Sequence, residues 1–176
     1  MKGFKIDIDK ATTENDNYRK VLYTSKHSQL VLMSLKPNEE IGEETHPDND
    51  QFFRLESGHG KCVIDGNEYE VKAGDAFVIP AGAKHNVINT DDITGLKMYT
   101  LYSPAHHKDG IIRSTKKEAE TNGEEFDGVT TESFNRHVVG MNLYSPTEVF
   151  NQQKMHHVPK CVNNAIFLWN CVMIPP

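Results

Sequence analysis

The sequence predicts an all-β protein of antiparallel strands, arranged as a sandwich or a barrel and followed by a C-terminal extension. The run QLVLMSL (29–35) is a continuous apolar strand. The stretch KCVIDGNEYEV (61–71) alternates apolar and polar residues on both sides of an Asp-Gly turn, which is typical of a β-hairpin. Further turns at 57–60 and 72–75 and a last run, LKMYTLY (96–102), place short strands at close spacing, which favours a sandwich or barrel.

Strand and turn signals extend from Phe4 to Tyr102, and the pattern then changes. TKKEAE (115–120) predicts a helical turn, and no period is visible from Ser133 onward. We therefore expect a β-barrel domain over residues 1–132, with an N-terminal strand and an exit loop. Residues 133–176 are expected to form an extension whose structure the sequence does not predict.

Composition excludes several classes of function. Lys and Arg number 19 against 25 Asp and Glu, a net charge of -6, which argues against nucleic acid as a partner. The longest apolar stretch (165–174) is too short to span a bilayer, and the first nine residues lack the apolar core of a secretory signal. Three cysteines form no disulfide framework. We expect a cytoplasmic protein with no nucleic-acid partner and no membrane partner.

One stretch, GDAFVIPAGAKHNVIN (74–89), fixes five positions in the pattern G-x5-P-x-G-x2-H-x3-N. Pro80 ends a strand because it lacks a backbone donor, and Gly82 permits a backbone conformation that other residues avoid. His85 then begins the next strand at a defined place. The pattern resembles the second motif of the cupins, small jelly-roll β-barrels that usually hold a metal. The resemblance implies that His85 is a metal ligand.

A first cupin motif is then expected upstream, and EETHPDNDQFFRLESG supplies it. This stretch ends at Gly58, which leaves fifteen residues before Gly74. The family pattern, H-x-H-x3-4-E-x6-G, places Gln51 in the glutamate position when counted back from that glycine. His46 takes the second histidine position and Glu44 the first, so two positions depart from the usual three histidines and one glutamate. The implied metal ligands are Glu44, His46, Gln51 and His85.

This ligand set still suits a metal. Two imidazoles, one carboxylate and a weakly binding amide carry a total charge of -1 and leave open positions, much as in the two-histidine, one-carboxylate sites of non-haem iron. Oxygen and nitrogen ligands indicate a divalent iron, manganese, nickel or zinc ion, whereas the absence of a thiolate argues against copper(I). An alternative pairing of His46 with Asp48 spoils the spacing to Gln51.

The resemblance implies a metal-binding, small-molecule enzyme of the dioxygenase or of the sugar or keto-acid isomerase type, which forms a homodimer. Glu44 is a candidate catalytic base if it is not a ligand, and Tyr99 or Tyr102 is a candidate if it faces the pocket. His106 and His107 follow Pro104 on a loop and are expected to be exposed. The alternative function is a non-catalytic cupin that binds a small ligand and has lost its metal.

Overall fold

The structure is a computed structural model that describes residues 1–123 and 125–133. The predicted extension therefore lies outside the described residues except for its first position, Ser133. The cysteines at 161 and 171 lie outside them as well. Cys62 is a free, fully buried cysteine. In the described part of the chain, no helix is both long and apolar enough to cross a membrane.

The described residues form two short helices and ten strands. In chain order these are α1 (Ile8–Thr13), β1 (Arg19–Thr24), β2 (Gln29–Leu35), β3 (Glu44–Thr45), β4 (Asp50–Ser57), β5 (His59–Ile64), β6 (Asn67–Lys72), β7 (Ala76–Ile79), β8 (Lys84–Asn89), β9 (Leu96–Ser103), β10 (Ile112–Arg113) and α2 (Lys116–Thr121). The predicted strand 29–35, the hairpin, the strand 96–102 and the helical turn after residue 115 all match elements of this series.

The strands form two antiparallel sheets. One has the order β10-β1-β2-β9-β4-β7, and the other has the order β3-β8-β5-β6. Alternate residues of β9 are buried, beginning at Leu96 and ending at Tyr102, as expected for a strand with one face toward the core. Apolar side chains from both sheets, among them Phe53 and Val87, belong to one buried core cluster. The all-β, antiparallel jelly-roll prediction is confirmed.

The hairpin between β5 and β6 has a further role in placing β8. Asp65 and Gly66 both have positive φ angles, 47° and 80°, which is the conformation of a type I′ turn. Asp65 also forms two bonds with the first residue of β8: its backbone N–H donates to the Lys84 carbonyl (2.8 Å), and its carboxylate accepts from the Lys84 N–H (2.9 Å). These bonds fix the backbone immediately before His85.

The strand signal at the N-terminus was wrong over residues 8–13, which form helix α1. The Asp7 side chain caps this helix by accepting a hydrogen bond from the Lys10 N–H (3.2 Å). Thr12 is buried, and α1 contacts β2, β4 and β9. Ile8 and Ala11 are the only apolar residues of this segment, too few to show a helical period, so packing against the sheet stabilises the helix.

Candidate metal centre

The pairing of β3 with β8 brings the two predicted motifs together. Glu44 lies directly opposite His85 in the antiparallel register. Two residues further along, the His46 carbonyl accepts a hydrogen bond from the Gly82 N–H (2.8 Å). Gly82 has a φ angle of 85°, a conformation that glycine adopts without strain, as its place in the motif predicts. The turn of the second motif is therefore bonded to the backbone of the first.

Three of the four predicted ligands form one cluster. The ligand atoms of Glu44, His46 and His85 all lie within 4.8 Å of one another. His46 Nε2 lies 3.2 Å from Glu44 Oε2, and the two imidazole rings have centroids 5.3 Å apart. Because a metal binds nitrogen and oxygen ligands at about 2.0–2.2 Å, two ligands of one ion lie at most about 4.4 Å apart, so the observed separations are close to those that one ion requires. The exposed Asp48 of the alternative pairing is not part of this cluster.

The tautomer of His85 suits a metal ligand. Its Nδ1 lies 3.1 Å from the Ala83 carbonyl, which can only accept, so Nδ1 carries the proton. Its Nε2 therefore presents a lone pair, and this atom is buried with no hydrogen-bond partner in the described part of the chain. A ligating histidine commonly has its second nitrogen bonded to a carbonyl in this way.

Gln51, the fourth predicted ligand, lies on β4 and is 1% exposed. It pairs in register with Tyr102. The amide oxygen of Gln51 is buried and has no partner among the described residues. Buried polar atoms nearly always have a hydrogen-bond partner or bind an ion. The unpaired atoms of Gln51 and His85 are therefore consistent with a bound group that supplies this partner. The donor chemistry of the site therefore fits a divalent metal.

The electrostatics of the cluster favour the protonation states that bind metals. Burial acts to raise the pKa of Glu44, but the hydrogen bond and charge of His46, together with Arg19, outweigh burial and lower the pKa. Burial lowers the pKa of His85. An ionised carboxylate and a neutral imidazole are the forms that coordinate a metal ion.

The two candidate tyrosines lie on opposite faces of β9. Tyr102 points inward, with its ring centroid 5.8 Å from that of His46. Burial raises the pKa of Tyr102, so its hydroxyl is a neutral group that can donate a hydrogen bond. Tyr99 lies on the other face, where its ring pairs with Phe52 at 6.2 Å. The structure thus places Tyr102 beside the cluster and does not bring Tyr99 there.

The expectation that His106 and His107 are exposed was wrong. His107 is 4% exposed, and the His106 ring lies 4.2 Å from the His46 ring between centroids. Burial lowers the pKa of His106 to about 4 and the pKa of His107 well below its ordinary value. A cavity of about 350 Å³ opens beside them, and its lining includes Arg19, Glu44 and both histidines. The sequence shows two adjacent histidines, but it does not show which residues far along the chain contact them.

The fold and the cluster together define a jelly-roll barrel with a candidate metal centre at one end of its smaller sheet. Comparison with known proteins agrees. The family profile described as "Cupin domain" matches residues 31–102. The chain belongs to the cupin superfamily.

Relatives of known sequence are uncharacterised proteins. One, from Acanthamoeba polyphaga mimivirus, is 45% identical over 112 residues, which cover 62% of this chain and 70% of the relative. Another, YrkC of Bacillus subtilis, is 42% identical over 124 residues, which cover 67% of this chain and 66% of the relative. The descriptions of these two relatives name no reaction, so none is assigned to this chain from them.

Solved structures support the same fold. The crystal structure of BH2720 from Bacillus halodurans matches with a TM-score of 0.67 and 37% identity, over 69% of this chain and 96% of that one. A Klebsiella pneumoniae protein with a double-stranded β-helix domain matches with a TM-score of 0.51 and 19% identity, over 64% of this chain and 100% of that one. At that identity, the second match shows the fold alone.

Proposed function

We propose that this chain is a metal-dependent cupin that acts on a small molecule. The observation that carries the proposal is the convergence of Glu44, His46 and His85, whose ligand atoms lie within 4.8 Å of one another. Three protein ligands of this type leave coordination positions for a substrate. Gln51, with its orphaned oxygen, is proposed as a fourth and weaker ligand.

A divalent ion held by these residues would supply Lewis-acid polarisation of a bound oxygen group, or would bind substrate and dioxygen together. The protein residues around it would orient the substrate. The Tyr102 ring, which carries a neutral hydroxyl, lies next to His46. The imidazoles of His106 and His107, in the exit loop that follows β9, line the adjoining cavity. Glu44 is proposed as a ligand rather than as the catalytic base, because it lies within the cluster.

The two proposed reaction types differ in what they consume. A dioxygenase takes up oxygen, whereas an isomerase exchanges a proton next to a carbonyl without it. Protein loaded with Fe(II) is incubated with a panel of small hydroxy and oxo acids. Oxygen uptake in air assigns the first type, and deuterium incorporation from D₂O under argon assigns the second.

The proposed metal site is tested by measuring the metal content per chain. We expect wild-type protein to retain about one ion after incubation with Fe(II), Mn(II), Ni(II) or Zn(II) and desalting. His46→Ala and His85→Ala should retain much less, while their melting curves show that they fold. The matched control is His59→Ala, because His59 lies away from the cluster and pairs with Asp91 (3.3 Å). Wild-type protein that stays free of all four ions contradicts the proposal.

One observation favours the alternative function, a non-catalytic barrel that binds a small ligand without a metal. Glu44 and His46 already lie within hydrogen-bond distance of each other, at 3.2 Å, so each has a partner in the absence of an ion. Under this alternative, the His85 and Gln51 atoms would bond a ligand directly. The metal assay distinguishes the two functions, because the alternative requires a metal-free protein.

As partners we propose a small organic molecule and a second copy of this chain, with no nucleic acid and no membrane, in the cytoplasm. The acidic charge balance supports the exclusion of nucleic acid. Strand β7 ends the larger sheet and exposes 58% of Val78, which offers an apolar edge for a homodimer.

A further inference from the structure

The exit loop after β9 presents two histidines at the candidate metal centre. His106 lies against His46, and it also stacks on Tyr102 with ring centroids 5.3 Å apart and an interplanar angle of 21°. His107 meets the edge of the same tyrosine at 4.9 Å and the His106 ring at 4.7 Å. Both histidines line the cavity beside Glu44.

A fully buried glutamine holds this loop in place. Gln29 on β2 is 0% exposed, and its amide nitrogen donates to the His107 carbonyl (2.6 Å) and to the Thr24 hydroxyl (2.8 Å). Its amide oxygen accepts from the His107 N–H (2.9 Å) and the His106 N–H (3.3 Å). Asn49 adds a bond to the Pro104 carbonyl (2.7 Å). The backbone of both histidines is therefore fixed before any ligand arrives, which lowers the entropy cost of binding.

The His107 side chain retains an unused hydrogen-bonding atom. Its Nε2 is buried, the residue is 4% exposed, and no group of the described residues pairs with that nitrogen. A buried polar atom without a partner destabilises the protein unless another molecule satisfies it. Because His107 lines the cavity, a ligand in the cavity is the natural partner.

We propose that His106 and His107 form a second binding subsite, which holds a carboxylate of a small hydroxy or oxo acid whose other end binds the metal. This inference rests on the proposed function, since it names the class of substrate for the same site. A divalent ion with Glu44 as its single charged ligand keeps a net charge of +1, and Arg19 also lines the cavity. A positive site beside neutral imidazoles favours an anion.

The acidic residues of the cavity wall do not reverse this preference. Glu43 forms an ion pair with Lys84, and Glu120 forms one with Lys116 at 3.8 Å. The charges of Glu43 and Glu120 are therefore offset by lysines outside the subsite. Glu125 also lines the cavity, but it is exposed, so solvent screens its charge. A cavity of about 350 Å³ is at the small end of ligand sites, so a compact acid fits better than a sugar nucleotide or a peptide.

Malate and lactate provide a matched pair of probes. Both carry a 2-hydroxy acid group that can bind the metal, but malate alone has a second carboxylate for His106 and His107. After metal content has been measured, binding of each probe to Ni(II)-loaded protein is followed by calorimetry. We expect wild-type protein to bind malate about tenfold more tightly than lactate, since a charge-assisted hydrogen bond distinguishes the two.

Substitution of His107 tests which residue provides this preference. His107→Phe should remove most of the malate advantage and leave lactate affinity within about twofold, whereas His107→Gln should restore part of it because the amide keeps a hydrogen-bonding group. His59→Phe, at a histidine outside the cavity, should change neither affinity. If His107→Phe fails to melt cooperatively, His106→Phe replaces it, because this ring substitution keeps the stack on Tyr102.

Two results would overturn the subsite while leaving the metal site intact: equal binding of malate and lactate by metal-loaded wild type, or a malate advantage that survives in both His107 variants. Wild-type protein that binds no metal is a different failure. It would contradict the proposed function itself, and the metal measurement detects it before any probe is added.

Discussion

At the scale of single residues, the candidate ligand set differs from the usual cupin pattern in the position of its carboxylate. The resemblance placed a carboxylate where Gln51 stands and a histidine where Glu44 stands. In the structure Glu44 lies opposite His85, and its carboxylate reaches the same cluster from β3 instead of β4. The total ligand charge therefore stays at -1, although the charge enters from the other sheet.

The new position of the carboxylate predicts unequal effects of two substitutions. Glu44→Gln keeps the shape of the side chain but removes the only ligand charge, so metal affinity should fall by more than about 100-fold, beyond the loss typical of outer-shell partners. Gln51→Ala removes a neutral amide and should cost less than about tenfold. Competition with a chromophoric chelator measures both affinities. Equal losses for the two variants would show that Glu44 does not carry the charge of the site.

The sequence predicted these ligands because their spacing within each motif is local. It did not predict the environment of His107, because the loop is held by Gln29, which lies 78 residues away in the chain. No pattern near Pro104 reveals a partner at that distance. The choice between Tyr99 and Tyr102 was open for a similar reason, since the register of β9 against β2 and β4 decides which face is buried.

At the scale of elements, the asparagine that ends the second motif joins strand β8 to two neighbouring segments. Asn89 is 1% exposed, and its amide nitrogen donates to the carbonyls of Leu35 (3.2 Å), Lys36 (2.9 Å) and Thr94 (2.9 Å). Its oxygen accepts from the Asp91 N–H (3.0 Å). The motif therefore places a proposed metal ligand at the start of β8 and a residue that joins neighbouring segments at its end.

Asn89→Ala should lower the free energy of unfolding by about 2–4 kcal/mol, because it removes the bonds that a side chain only 1% exposed makes to three backbone carbonyls and one N–H group. Urea denaturation measures this loss. The matched control is Asn67→Ala in the exposed hairpin, where a single bond to the Ile64 carbonyl (3.1 Å) is lost and less than about 1 kcal/mol is expected. This joining role of Asn89 is excluded if the two variants are equally stable.

The elements that the sequence predicted best have strong local signals. The Asp-Gly turn and its flanking alternation defined the β5–β6 hairpin, and the largely apolar run 29–35 became β2. Helix α1 was missed because it has six residues and too few apolar positions to show a helical period. Its stability comes from packing on the sheet, through contacts with β2, β4 and β9.

At the scale of the whole molecule, the predicted domain over residues 1–132 stays a prediction, and the described contacts show how to test it. The buried core cluster extends from Tyr18 to Tyr102. Glu132 lies well beyond it, yet its carboxylate accepts hydrogen bonds from the Lys2 and Gly3 N–H groups, both at 3.0 Å, and from the Tyr23 hydroxyl (3.4 Å). The predicted boundary therefore coincides with a residue that fastens the N-terminal segment.

A chain that ends after Glu132 should remain soluble and melt in one cooperative transition, because it keeps the core cluster and the Glu132 bonds. A chain that ends after Tyr102 should be much less stable. It loses β10, which pairs with the edge of β1, and it loses the exit-loop bonds to the buried Gln29 amide. Thermal melting of both chains beside the full-length protein makes the comparison. Aggregation of the longer chain would show that residues beyond 132 complete the fold, and the domain boundary would then have to move.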